Sequence, residues 1–198
     1  MSAYARFTPV DLTSNTSHSP FVTSGSAFAS GHDAYLAFNG QADDPNAWIG
    51  STAGTGYVQI DTGASGSYVL TSYIVQAYDS ANSGRSPNAW TVQGSNDGST
   101  WTTLDTRTAQ TNWASLETRM FAVTGAAAWR YFKLNVTANN GDATYTEVGE
   151  IWLQQNGTGY GWKASNAGTF PKRARTGHGT AGSGGGSGGG SGGAWTFI

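Results

Sequence analysis

Apolar and polar residues alternate with a period of two in a series of short runs along the chain. Tyr57-Val58-Gln59-Ile60-Asp61 alternates, and so does the longer run from Tyr68 to Tyr78, rich in β-branched and aromatic side chains. Successive strand side chains point to opposite faces, so this period predicts strands with one buried face. The residue types suit a pleated, half-buried surface. Trp90 to Ser95 and Trp101 to Leu104 form a further pair around the turn Asn96-Asp97-Gly98-Ser99, whose Asp-Gly step tolerates the positive φ of a tight hairpin. Arg119 to Val123, Trp129 to Val136 and Glu147 to Leu153 complete the set, and only Ala34 to Phe38 hints at a helical turn. Short strands divided by turn signals predict an all-β fold, a sandwich of two antiparallel sheets. Trp48, Trp90, Trp101 and Trp129 flank or sit within strands and are expected in its core.

The alternation stops near Gln154, which divides the chain into a sandwich over 1-153 and a glycine-rich C-terminal tail over 154-198. Residues 181-193 read AGSGGGSGGGSGG, a stretch with no side chains to bury and maximal backbone entropy to lose. Such repeats have the form of an engineered linker. The apolar end Ala194-Trp195-Thr196-Phe197-Ile198 resembles no purification tag and fits a native arm, so both origins stay open. Trp162, Phe170, Trp195, Phe197 and Ile198 recur through a segment too poor in apolar surface to fold alone. They are the candidate assembly residues, expected to dock in a partner.

Composition narrows the function classes. The 198 residues include 12 Asp and Glu against 10 Lys and Arg, for a net charge of -2. All the carboxylates lie in 1-153 with six of the basic groups, while Lys163, Lys172, Arg173 and Arg175 leave the tail basic. An acidic body speaks against a nucleic-acid groove, which needs a basic surface. Zero Cys excludes a disulfide scaffold and a thiolate metal site. No apolar run is long enough to span a bilayer, and MSAYARFTPV lacks the pattern of an export signal. The adjacent Asp43-Asp44 pair sits in one loop rather than across a cleft, as a glycosidase requires. The sandwich over 1-153 has no Gly-x-Ser-x-Gly elbow, and a phosphate loop is missing. A non-catalytic binding protein is expected.

The order of motifs resembles a known family. Thr13-Ser14-Asn15-Thr16-Ser17 precedes Ala37-Phe38-Asn39-Gly40 and Trp48; Tyr57 to Gly63 follows, then Trp90-Thr91-Val92-Gln93-Gly94-Ser95-Asn96-Asp97-Gly98-Ser99-Thr100-Trp101, Arg130 to Asn135, and Val148-Gly149-Glu150-Ile151. This series is similar to the discoidin family, also called coagulation factor five/eight type C, which includes the family 32 carbohydrate-binding modules. The resemblance covers about residues 11-153. It implies a jelly-roll sandwich with adjacent first and last strands and ligand-binding loops at one end. It also implies one structural calcium ion, with Leu36, Asn39, Asp44, Asn46, Gly149 and Glu150 at the matching positions. Asn39 stands where the family usually has Asp, and the loop from Asn39 to Trp48 is longer than the common form.

A sugar offers an apolar ring face and a rim of hydroxyls, so its site needs a flat ring and planar polar groups around it. The candidate ligand residues are therefore His32, Asp33 and Tyr35 in one loop, Asp79, Asn82, Arg85 and Asn88 in a second, Trp113 in a third, and Asn140, Asp142 and Tyr145 in the last. Each has a plainer role: Arg85 can pair with Asp79, His32 and Asp33 can cap the following turn, and Trp113 can fold back on the sandwich. The expected ligand is a cell-surface glycan. A discoidin-like head on a glycine-rich anchor looks like a bacteriophage or phage-like virion appendage such as a tail fibre or head fibre, present in many copies on the particle surface. The alternatives are an extracellular free-standing lectin, a module of a glycoside hydrolase, or a purely structural decoration protein.

Overall fold

The computed structural model describes residues 4-9, 11-43, 45-52, 54-78, 83-156 and 161-162. Among these residues twelve strands follow in order: β1 Tyr4–Arg6, β2 Val22–Gly25, β3 Trp48–Gly50, β4 Gly56–Asp61, β5 Ser72–Gln76, β6 Pro87–Ser95, β7 Thr102–Arg107, β8 Thr118–Ala122, β9 Tyr131–Asn139, β10 Thr146–Val148, β11 Glu150–Asn156 and β12 Gly161–Trp162. They form a five-stranded sheet ordered β12-β1-β11-β5-β8, a second ordered β2-β4-β9-β6-β7, and a small β10-β3 pair. Every pairing is antiparallel. The expected sandwich is present, and the first strand lies beside β11 through Arg6 opposite Gln154.

The alternation read from the sequence sets the two faces. In β4 and β9, Val58, Ile60, Phe132, Leu134 and Val136 are buried, while Tyr57, Gln59, Tyr131, Lys133 and Asn135 alternate with them on the outer face. Glu147 to Leu153 is not one strand but two, split at Gly149. A Cβ there would come within 2.8 Å of the Ala77 carbonyl oxygen and 2.9 Å of the Ala42 Cβ, so only glycine permits this close approach. The run from Tyr68 to Tyr78 is regular only over β5, with Tyr68 bridged separately to Trp129. Ala34–Phe38 forms a 3-10 turn.

Of the four tryptophans expected inside, Trp48 and Trp90 are fully buried. The other two are half-buried. Trp129 packs on the core over Gly94, where a Cβ would meet its ring at 2.6 Å. Trp101 lies on the outer face against Lys133, because the hairpin turn ahead of it directs it over the sheet rather than under it.

A polar chain runs through the aromatic core. The Trp90 Nε1–H donates to the Tyr73 hydroxyl at 2.8 Å, and that hydroxyl donates to Asp105 Oδ2 at 2.7 Å. Asp105 also accepts from Arg107 Nε at 2.7 Å. The chain joins β5 of one sheet to β6 and β7 of the other. Burial, reinforced by Asp105, pushes the Tyr73 hydroxyl pKa far above its ordinary value, so it stays a neutral donor. Around it Phe121 stacks on Tyr73 at 5.2 Å and meets Trp90 edge-on at 5.2 Å, pairs worth about 0.5–1.5 kcal/mol each beyond their buried area. Tyr73→Phe removes the acceptor of one buried donor and the donor to Asp105. It is expected to cost about 1–3 kcal/mol, read as a lower urea midpoint at unchanged slope; an unaltered midpoint would show that the chain contributes nothing.

Candidate functional site

One end of the sandwich gathers the loops after β2, β5, β7 and β9, and most of the expected ligand residues lie there. Their polar groups are largely committed to holding the loops together. Asn140 Nδ2 donates to the carbonyls of Ser86 at 2.9 Å and Gln110 at 3.1 Å, and its Oδ1 accepts from Asn88 Nδ2 at 3.1 Å. Arg85 donates from Nε to Asp142 Oδ2 at 3.1 Å and from Nη1 to the buried Glu147 at 2.6 Å, with its guanidinium 4.8 Å from the Tyr145 ring. Asp79, the partner expected for Arg85, lies outside the described residues, as does Asn82. The backbone N–H groups of Tyr145 and Thr144, and then Arg85, hold the Asp142 carboxyl below its ordinary 3.8.

The third loop, residues 108-117, differs most from expectation. Trp113 is not an open platform but a core residue, 5% exposed. Its Nε1–H donates to the Pro87 carbonyl at 2.8 Å and the Gln110 carbonyl at 3.1 Å, and Arg119 covers its ring at 3.9 Å. An indole this large is cheaper to bury with a satisfied N–H than to expose. Arg119 also donates to the carbonyls of Thr111 and Asn112. Thus pinned, the loop holds Ala109, Asn112 and Leu116 at φ of 55°, 58° and 57°. These are the described non-glycine residues in the left-handed region, and all three belong to this loop. Such strain persists only where the surroundings over-determine it and concentrates at functional sites. The loop walls a depression of about 520 Å³ lined by Thr111, Asn112, Trp113, Ala114 and Asn140. Thr111 and Asn112 escaped the sequence reading because their polar stretch pointed to its one aromatic residue instead.

The first loop is also braced. His32 Nδ1 hydrogen-bonds the Ala47 carbonyl at 3.1 Å. Asp33 stands at the N-terminus of the 3-10 turn without a side-chain cap bond, and Asn15 takes the bracing role. Its Oδ1 accepts from the Tyr35 N–H and the Thr23 hydroxyl, and its amide contacts Asp33 at 3.4 Å. Tyr35 packs on the main core, and Tyr145 joins a smaller cluster of Ala47, Ile49 and Tyr78.

The positions implied for calcium assemble differently. Glu150 is 1% exposed; its Oε1 accepts from Arg6 Nη2 at 3.0 Å and its Oε2 from the Gly40 N–H at 3.0 Å. Burial pushes the Glu150 carboxyl up to about 8 and the Arg6 guanidinium down, against their mutual attraction. Asn39 gives its oxygen to the Gln41 N–H and its nitrogen to Asn46. Leu36 is buried in the 3-10 turn and the Gly149 N–H donates to the Gln76 carbonyl; Asp44 lies outside the described residues. Calcium needs six to eight oxygens, and no group of three or more His, Cys, Asp and Glu converges among the described residues. The described residues do not by themselves fit that ion, because the guanidinium of Arg6 supplies the cation beside Glu150.

Of the assembly residues, the backbone of Trp162 pairs with Tyr4 in this same chain. Phe170, Trp195, Phe197 and Ile198 lie outside the described residues.

The family model of the F5/8 type C domain matches residues 15–151. Similar solved structures include the lectin binding domain of lectinolysin complexed with Lewis b, at 16% identity and TM-score 0.57, covering 75% of this chain and 100% of that one. The family 32 module of NanJ from Clostridium perfringens in complex with galactose shows 15% identity and TM-score 0.56, covering 68% and 93%. A second module from that organism, CpGH89CBM32-5 in complex with GalNAc-β-1,3-galactose, shows 15% identity and TM-score 0.53, covering 67% and 94%. No curated protein matches the chain.

Two outcomes follow for the braced charges. Arg6→Ala leaves the buried Glu150 carboxyl without its donor and is expected to cost about 1–3 kcal/mol, while EDTA or millimolar calcium leaves the wild-type Tm unchanged. A calcium-induced rise in Tm would refute this assignment. Because the folded Asp142 pKa lies below 3.8, its contribution is complete above that pH and is lost as pH falls through the folded value. The stability gap between wild type and Asp142→Asn should therefore be constant at neutral pH and close on acidification; a gap that widens in acid would contradict it.

Proposed function

The chain belongs to the F5/8 type C family, and from that premise we propose that it binds a cell-surface glycan without catalysis, in the depression beside the 108-117 loop. The observation that carries this reading is the pinned, strained loop with Thr111 and Asn112 at the rim of a cavity large enough for a sugar. Binding sites hold their polar groups on a pre-formed wall, and rigidity there reduces the ordering cost of binding. The hydroxyl and amide of these two residues meet sugar hydroxyls, and the edge of Trp113 supplies an apolar patch. Arg85, Asn88, Asn140 and Asp142 brace the loops behind it. Three related domains of known structure were solved with galactose, GalNAc-β-1,3-galactose and Lewis b, which supports a glycan as the ligand class.

A shallow site of this kind has an affinity near the millimolar end, about -4 kcal/mol, and many copies on one particle raise it by effective concentration. The glycine-rich tail supplies that display in our reading: residues 154-198 anchor the protein in a phage-like virion appendage and the sandwich faces the host envelope. A free-standing lectin or a module of a glycoside hydrolase would use the same loop end. A chain truncated after Ala164 separates these readings, since an anchored protein loses incorporation into particles whereas a lectin binds its glycan unchanged.

The site itself is tested by Ala114→Trp, which fills the depression from an exposed position. On a glycan array and by titration of the sugar that scores, this variant is expected to lose at least tenfold in affinity with its Tm retained. Full binding by the variant would place the ligand elsewhere.

A further inference from the structure

The outer face of the β2-β4-β9-β6-β7 sheet carries chemistry that the loop end does not use. A row of side chains crosses its five strands: Ser24 lies opposite Gln59, Gln59 opposite Lys133, Lys133 opposite Gln93, and Gln93 opposite Thr103. Beside it run Tyr57, Asn135 and Thr91, again directly opposed. With strands about 4.8 Å apart the row is about 19 Å long, long enough for a chain of several sugars.

Lys133 is the centre of this row. Its Nζ lies 3.7 Å from the centroid of the Trp101 ring and 5.4 Å from that of Tyr57. Among the described residues, Arg6, Arg85, Arg107, Arg119 and Arg130 each pair with a carboxylate. Lys133 alone has no acid within ion-pair distance. Partial desolvation lowers its pKa, the mark of an ammonium short of compensation. Gln93 and Asn135 flank it without a hydrogen-bond partner among the described residues, and the Thr91 hydroxyl is buried without one. Nearby, Asp61 is spent on Arg130 through two bonds of 2.7 Å. The local balance is therefore one uncompensated positive charge framed by amides and rings, on a body that is otherwise acidic.

We propose that this sheet face is a second binding surface, for a polyuronate chain, with a sugar carboxylate on Lys133 and sugar hydroxyls on Gln59, Gln93 and Asn135. Charge complementarity selects this occupant. The chain's own residues 154-198 hold four basic groups and no Asp or Glu, so none of their side chains offers a carboxylate. A neutral glycan would leave the ammonium uncompensated and partly desolvated. The surface is independent of the loop-end reading, since its side chains point from the strands rather than from the loops.

Isothermal titration of the full chain with hexagalacturonate, and with the same hexamer as its uncharged methyl ester, tests the proposal. The acid is expected to bind at least tenfold more tightly than the ester. Lys133→Met should abolish that preference, Lys133→Arg should retain it, and Ala114→Trp at the loop end should leave it intact. Equal affinity for acid and ester overturns the proposal, and so does failure of both to bind. It also fails if Lys133→Met has no effect while Ala114→Trp does, or if Lys133→Met dissociates a dimer by sedimentation, which would assign the lysine to a second copy's acid. Melting curves of both lysine variants guard against loss by unfolding, with Lys133→Arg restoring binding where Lys133→Met retains the fold.

Discussion

The hydroxyl of Tyr73 is the point on which the two sheets agree. It accepts the indole N–H of Trp90 and donates its own O–H to Asp105, so a strand of one sheet is keyed to two strands of the other inside an otherwise apolar core. Hydrophobic burial alone is non-directional and would let two aromatic-rich sheets slide. A buried hydrogen-bond chain that must stay satisfied admits one relative placement. Phe121, Trp90 and Trp113 pack around this chain in tilted and edge-on pairs. The loop over residues 108-117 is thereby locked to the core through Trp113, and the shape of the loop end descends from the packing beneath it.

The molecule manages its charges in the same economical way. Glu150 and Glu147 are each about 1% exposed, and each faces a guanidinium from a distant part of the chain: Arg6 from the first strand, Arg85 from the loop after β5. A buried ion pair is weak evidence of net stability, yet its rupture is costly, so the pairs fix which segments meet. Arg6 ties the first strand to β11 where the family resemblance implies a metal ion. Arg85 ties two loops together where the same resemblance implies a ligand contact. In both places an arginine fork with several donors does internal work that a point charge could not. Lys133, a point charge on a flexible stem, is left facing outward.

Much of the fold is legible in the alternation of residues. Val58 and Ile60, or Phe132, Leu134 and Val136, announce their strands and their inward faces because side-chain direction in a strand follows from sequence parity alone. The Asp-Gly turn between β6 and β7 is legible for the same local reason: few residues accept its backbone. The family order of motifs placed the loops at one end and made Glu150 a residue of interest. The site was less legible. Trp113 and Arg85 look like ligand contacts in a linear reading, since an aromatic or a cation in a polar stretch carries no mark of what lies across from it.

The sequence by itself therefore determined the strands, their inward faces, the hairpin turn and the break in composition after Gln154, all of which depend on neighbours a few residues apart. Only the tertiary structure decided how each polar group is spent, because the partners of Arg85 lie 57 and 62 residues away and that of Arg6 lies 144 away. Whether a charge is consumed internally or left for a ligand depends on contacts between remote segments. Local pattern holds no record of them: Arg85 and Lys133 look alike in the sequence and are opposites in the fold.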